Sequence, residues 1–252
     1  MERREFLAAG SAAAIVTMLP GQALAATPGD AALYALMDRI FFDGLAVNPE
    51  RASGLGLDRE VRAQLKSRLD DYGAGQRFID KALRQKALAG LNATVPDALS
   101  PAGKRNRENA IYLFEQQGLA DRFDIGSVQR PYPIFQQGGA YFSVPDFLDS
   151  QHSIANAADC EAYLARLSAF RFALDDNGEY QREQAARGFL APAWSIDLTL
   201  GQMKKLRAPA PEESSMVRSL AKRAEAKGIA GDWAARAAKI VSDDVYPAVD
   251  RQ

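Results

Sequence analysis

The chain has one cysteine and one histidine in 252 residues. A lone cysteine excludes an internal disulfide, so any thiol pairing would join two molecules. Zinc enzymes draw three or four ligands from His, Cys, Asp and Glu, and the helical protease pattern needs two histidines flanking a glutamate on one turn. One histidine cannot supply it. Charge of one sign is also lacking: 31 basic against 32 acidic residues leave a net charge of -1, which removes any general pull toward nucleic acid or an anionic membrane. No apolar run reaches the ~20 residues that span a bilayer, so no transmembrane segment is expected. Alternating strand patterns are nearly absent, the best being a weak "FDIGSV" at Phe123 to Val128. "GLGLD" at Gly54 to Asp58 has no preceding strand, and there is no P-loop, no G-x-S-x-G elbow and no fixed-period repeat.

What is present is an export address followed by helices. Arg3-Arg4, then Phe6-Leu7, then a mildly apolar Ala/Gly-rich run and Ala23-Leu24-Ala25 read as a twin-arginine signal peptide over residues 1–25, which places the mature chain in the periplasm or outside the cell. Hydrophobic residues make up 47% and charged residues 25%, enough for a sizeable core in residues 26–252. Thr27-Pro28-Gly29-Asp30 is a capping box with proline in the first turn, and Asn48-Pro49 and Ser100-Pro101 repeat the cap-then-proline signal. Leu33, Leu36, Met37, Ile40 and Phe41 share one helical face, as do Tyr163, Leu164, Leu167, Phe170 and Leu174. Two further stripes are Met216, Val217, Leu220, Ala221 and Ala224, stopped by Gly228, and Trp233, Ala237, Ile240, Val241 and Val245. The fold class is all-α, an irregular multi-helix array. No cap follows the last stripe and Pro247 interrupts it, so the final helix is expected to kink there and to continue beyond Gln252.

One stretch breaks the helical pattern. "FDIGSVQRPYPIFQQGGAYFSVPDF" carries Pro131, Pro133, Gly138, Gly139 and Pro145 with four aromatics between them, and it predicts a long ordered loop. Such a loop is either a packed connector or a surface that holds a ligand, with Tyr132, Gln136, Tyr141, Gln151 and His152 as the groups able to line a cleft. "SVPDFLDSQH" at Ser143 to His152 places Asp146, Asp149 and His152 near one face if a helix continues through them. Ser143-Val144-Pro145-Asp146 is itself a capping box, however, so the simpler expectation is a capped short helix ending in a surface or hydrogen-bonded histidine. Cys160 is expected in the first turn of a helix and buried, which counts against pairing it with His152 for nucleophilic chemistry. The pairs Asp70-Asp71, Asp175-Asp176 and Asp243-Asp244 read as solvated helix ends or faces. No residue is assigned a catalytic or metal-binding role.

"PYPIFQQGGAYFSVPDFLDSQHSI", with "EAYLARLSAF", "VYPAVDRQ", "ASGLGLDREVRAQLKSRLDD" and "LAKRAEAKGIAG", resembles the N-terminal part of the bacterial family known as domain of unknown function 885, regarded as zincin-like metallopeptidases. The resemblance implies an N-terminal half of a larger helical protein, with zinc as the metal of the whole, peptides as substrates and the catalytic region of the same polypeptide as partner. The family's zinc motif, of the type His-Glu-x-x-Pro-Gly-His-His, has no counterpart here, so hydrolysis is carried onto no residue of this chain and no cofactor is expected in it. The competing expectation is a complete, non-enzymatic helical binding module in the periplasm.

Overall fold

The computed structural model describes residues 27–123, 125 and 131–252. The signal-peptide reading and most of the "FDIGSV" pattern lie outside them. Among the described residues there are ten α-helices and no strand, Phe135 and Gly138 forming only an isolated bridge.

The first layer is built by α1 (Pro28–Ala46), α3 (Gly75–Ala93) and α4 (Pro101–Gln117), which close over buried Leu33, Leu91 and Leu99 with Leu36, Met37, Ile40 and Phe114 packed around them. Phe41 is the exception in its stripe, lying partly exposed edge-on to Phe42. The Thr27 box forms as the sequence predicts: Thr27 Oγ1 accepts the Asp30 N–H and Asp30 accepts the Thr27 N–H, both at 3.1 Å. Asp30 also accepts the Ser100 N–H at 3.1 Å, so one carboxylate joins the starts of α1 and α4. That close approach requires Gly103, because a Cβ there would collide with the Asp30 carboxylate.

The second and larger layer surrounds α6 (Ala157–Ala186), a 30-residue helix about 45 Å long. It packs against α5 (Ala140–Ser150), α8 (Ser215–Ala226), α9 (Trp233–Ile240) and α10 (Tyr246–Arg251). The predicted stripes fill this core: Tyr163, Leu164, Leu167, Phe170 and Leu174 from α6, Met216, Val217, Leu220 and Ala224 from α8, and Trp233, Ala237, Val241 and Val245 at the end of the chain are all buried. Gly228 ends α8 with φ +65°, as a left-handed helix stop. The disturbance at Pro247 takes the form of a π-helical turn over Val241–Val245 just ahead of the proline, which accommodates the missing N–H while keeping both valines inward. Between the layers lie α2 (Pro49–Gly54) and a 3-10 helix (Glu60–Ser67), with Leu45, Ala52 and Leu65 as a small core of their own.

Two expectations need correction. The Pro/Gly/aromatic stretch is shorter as a loop than predicted, because α5 begins at Ala140, and Ser143 is not its cap. Gly139, at φ +109°, turns the chain, and the Ala140 N–H is satisfied by Asn177 Oδ1 of α6 at 2.9 Å. With the start capped from another helix, Pro145 falls inside α5, where it forfeits one backbone hydrogen bond. The second correction concerns Asp70, which is drawn inward rather than solvated.

Candidate functional site

Segment 131–139 is held from three sides. Phe135 and Gly138 exchange backbone hydrogen bonds at 3.1 and 3.0 Å, making a tight turn. The Ile134 N–H donates to Gln181 Oε1 at 3.2 Å, and Asn177, besides starting α5, donates to the Tyr72 carbonyl at 3.2 Å. On the far side stands α7 (Ala193–Arg207). Its Ser195 hydroxyl donates to Gln136 Oε1, and its Gln202 Oε1 lies 2.7 Å from the Tyr141 hydroxyl, which is also 2.9 Å from the Phe135 carbonyl. Tyr132 is half-buried on the same segment, and Phe142, on the first turn of α5, is exposed. Two of the sequence-predicted cleft residues, Gln136 and Tyr141, therefore meet α7 directly, and Tyr132 lies on the same segment.

The outward surface of α7 is inverted relative to a normal surface helix. Its buried positions are Ser195, Thr199 and Met203, whereas Trp194 is 59% exposed, Leu198 53%, Leu200 47% and Ile196 38%. Residues two apart on a helix point to nearly opposite sides and residues four apart to the same side. Trp194 and Leu198 therefore form one apolar ridge, and Ile196 and Leu200 another. Sequence reasoning missed this surface because the apolar residues of "WSIDLTL" match no helical stripe. Leu190, 52% exposed just before α7, extends the apolar surface.

The other two candidates lie at the opposite end of α5, about 15 Å from Tyr141 by helical rise. Gln151 is exposed, with its side-chain oxygen against Gly54 where a Cβ would stand. His152 is 1% exposed, lies past the helix end, and faces away from Asp146 and Asp149, which are exposed. Its Nδ1 is 2.8 Å from Arg166 Nη1 and its Nε2 is 2.9 Å from the Asp159 carbonyl. A guanidinium can only donate, so Nδ1 accepts, Nε2–H donates, and the ring is fixed in one neutral tautomer. Burial above all, together with the cations Arg166, Lys66 and Arg223, lowers the imidazole pKa to about 4.

Arg166 explains why the histidine is there. Fully buried, it donates Nε to the Arg68 carbonyl at 2.8 Å and Nη2 to Ser53 Oγ at 2.6 Å and the Leu65 carbonyl at 3.0 Å, and it stacks 4.7 Å over Phe147. It joins α6 to α2 and the 3-10 helix, and His152 supplies an acceptor for a buried donor that would otherwise be unpaired. Ser53 passes the contact on to Asp58 at 2.6 Å. Arg223 closes the arrangement by donating to the carbonyls of His152 at 2.6 Å and Leu148 at 2.7 Å at the end of α5.

Beside this hub sits a carboxylate pair that the sequence did not disclose. The Glu50 N–H donates to Asp70 Oδ1 at 2.9 Å, the Asp70 N–H to Glu50 Oε1 at 3.2 Å, and the Tyr72 hydroxyl to Glu50 Oε2 at 3.1 Å. Burial, reinforced by the neighbouring Asp70, pushes the Glu50 carboxyl up to about 7, and burial pushes Asp70 up to about 6. Asp71, the other half of the dipeptide, is exposed as expected. The pair clips the start of α2 to the strand-like stretch leading to Tyr72, and Asp70 and Tyr72 reach a surface cavity of about 410 Å³ shared with Asp71 and Asp176. Among the described residues no three His, Cys, Asp or Glu side chains come together as a metal-ligand set.

Compared with known proteins, the architecture is similar to the crystal structure of the "putative lipoprotein from Colwellia psychrerythraea", with a TM-score of 0.78 at 18% identity. The match covers 88% of this chain but 40% of that one, so this chain spans less than half the length of its structural relative. At that identity the likeness concerns the fold alone. No curated protein matches the chain. Residues 49–252 match the family described as bacterial protein of unknown function, DUF885, a range that takes in the hub, the carboxylate pair, segment 131–139 and α7. The chain belongs to the DUF885 family.

Proposed function

We propose that this chain is the exported, helical N-terminal portion of a larger zinc-dependent peptidase, in which segment 131–139 and α7 form one wall of the substrate cleft and the catalytic region comes from the same polypeptide. The observation that carries this reading is the outward face of α7. Ser195 and Thr199 are buried while Trp194 and Leu198 on one flank, and Ile196 and Leu200 on the other, stay exposed, which leaves apolar surface on α7 to be covered. The ordered segment beside it offers Tyr132 and Gln136 to whatever lies between the two walls.

The zinc ligands would come from outside this chain. Its one histidine has Nδ1 occupied by Arg166 and Nε2 by Asp159, and Cys160 is fully buried with its thiol pushed up by burial. The residues present do not fit a zinc site, and no catalytic step is assigned to them. Export by the twin-arginine route is part of the same proposal and rests on Arg3-Arg4 and Ala23-Leu24-Ala25. An envelope location agrees with the lipoprotein description of the structural relative.

Dye binding and light scattering test the covered face. The chain of 252 residues should bind a hydrophobic dye and self-associate. The Trp194→Glu/Leu198→Glu variant, and a polypeptide extended through a catalytic region, should each be dye-silent and monodisperse. A monomeric, dye-silent parent chain would instead support the self-sufficient binding module.

A further inference from the structure

A further cavity lies in the first helical layer and shares no residue with the proposed cleft wall. It is about 680 Å³, within the range that holds small organic ligands, and opens between α1, α3 and the end of α4. Leu36, Ile40, Leu83, Ala87 and Phe114 give it an apolar interior. Its charged lining is unbalanced, with four cations, Arg39, Arg51, Arg84 and Lys86, against two carboxylates, Asp43 and Asp80.

Two of the cations are already neutralised. Arg84 reaches both oxygens of Asp121 at 2.6 Å, and Lys86 pairs with Asp43 at 2.7 Å. Asp80 accepts from Gln76 at 2.8 Å, and burial raises its carboxyl pKa above the ordinary carboxylate value. Arg39 and Arg51 have no carboxylate partner among the described residues, and Arg51 only overhangs the Phe41 ring at 6.0 Å. Two unpaired guanidiniums over an apolar interior make a site with a defined polarity.

We propose that this cavity binds a small amphiphile with an apolar body and one anionic head, of the class of medium-chain carboxylates, with Arg39 and Arg51 holding the head and the Leu36, Ile40, Leu83 and Phe114 side chains holding the body. The site is independent of the cleft-wall reading, since it lies in the first helical layer and uses none of its residues.

Gly44 supplies a clean obstruction. It lines the cavity from the last turns of α1, and a Cβ added there meets nothing within 4 Å, so a side chain starts from Gly44 without strain. Calorimetric titration of the full chain with decanoate, decanol and decyltrimethylammonium reads the proposal. Decanoate should bind saturably at one site, about tenfold or more tighter than the other two. Arg39→Gln and Arg51→Gln should each bring decanoate toward the affinity of decanol, and Gly44→Trp should abolish binding while the circular dichroism spectrum and melting temperature stay close to the parent. Val61→Ser, 79% exposed and outside the cavity lining, should leave binding unchanged. Equal affinity for the three amphiphiles, binding that survives Gly44→Trp in a folded protein, or binding lost only in Val61→Ser would overturn the site.

Discussion

Glu50, Asp70 and His152 show how far a residue's chemistry departs from its sequence context. Asp70 and Asp71 are neighbours in a dipeptide that reads as solvent-facing, yet Asp70 exchanges backbone contacts with Glu50 and Asp71 does not. The partner is twenty residues away, beyond the reach of any local pattern. The single histidine was legible as a hydrogen-bonded residue at a helix end, but its partner Arg166 was not, since nothing in "YLARLSAF" distinguishes a buried arginine from an exposed one. The pair Glu50 and Asp70 binds protons more tightly in the folded chain than in the unfolded one. Its contribution to stability is therefore complete below the ordinary carboxylate range, near pH 4, and is lost as pH rises through about 6 and about 7. Urea denaturation from pH 5 to 8 should show a decline on the order of 2 kcal/mol, a value discounted for the partial exposure of both groups. Glu50→Gln keeps an acceptor for Tyr72 and the Asp70 N–H, so its decline should be smaller and its stability above pH 7 higher than the parent's. A variant as pH-dependent as the parent would show that the pair carries no strained charge.

At the scale of elements, the legible features were those set within one helix. The Thr27 box, the Ser100 cap at 3.1 Å to the Gly103 N–H, the buried stripes of α6 and α8 and the Gly228 stop all rest on contacts a few residues apart. The illegible ones are set by a second helix. The capping box at Ser143 predicts a helix start there, but Asn177 of α6 caps the chain earlier, at Ala140. The segment "WSIDLTL", which matches no helical stripe, is likewise a helix, with Ser195 turned inward toward Gln136 and Thr199 buried. Asn177→Ala tests the cap. It leaves the buried Ala140 N–H unsatisfied, so stability should fall by about 2 kcal/mol. Amide exchange should rise selectively over residues 131–142, because the same side chain ties α5 to Tyr72. A uniform rise across the chain, with no excess in that segment, would show that Asn177 contributes packing alone.

At the scale of the whole molecule, the all-α class and the placement of most core helices followed from apolar periodicity and capping, and the helical neighbour agrees with them. What periodicity could not convey is which surface faces another part of a protein. Exposed apolar side chains are ordinary one at a time, and only their grouping on α7 beside an ordered aromatic segment gives them a direction. The central claim is that this face is one wall of a cleft completed by the same polypeptide. Hydroxyl-radical footprinting read by mass spectrometry addresses it directly, with Phe78 of α3, 67% exposed and outside α7, as the internal reference. In the chain of 252 residues Trp194 and Leu198 should be oxidised readily. In a polypeptide extended through the catalytic region they should be protected several-fold while Phe78 is unchanged. Equal oxidation of Trp194 and Leu198 in the two would contradict the account.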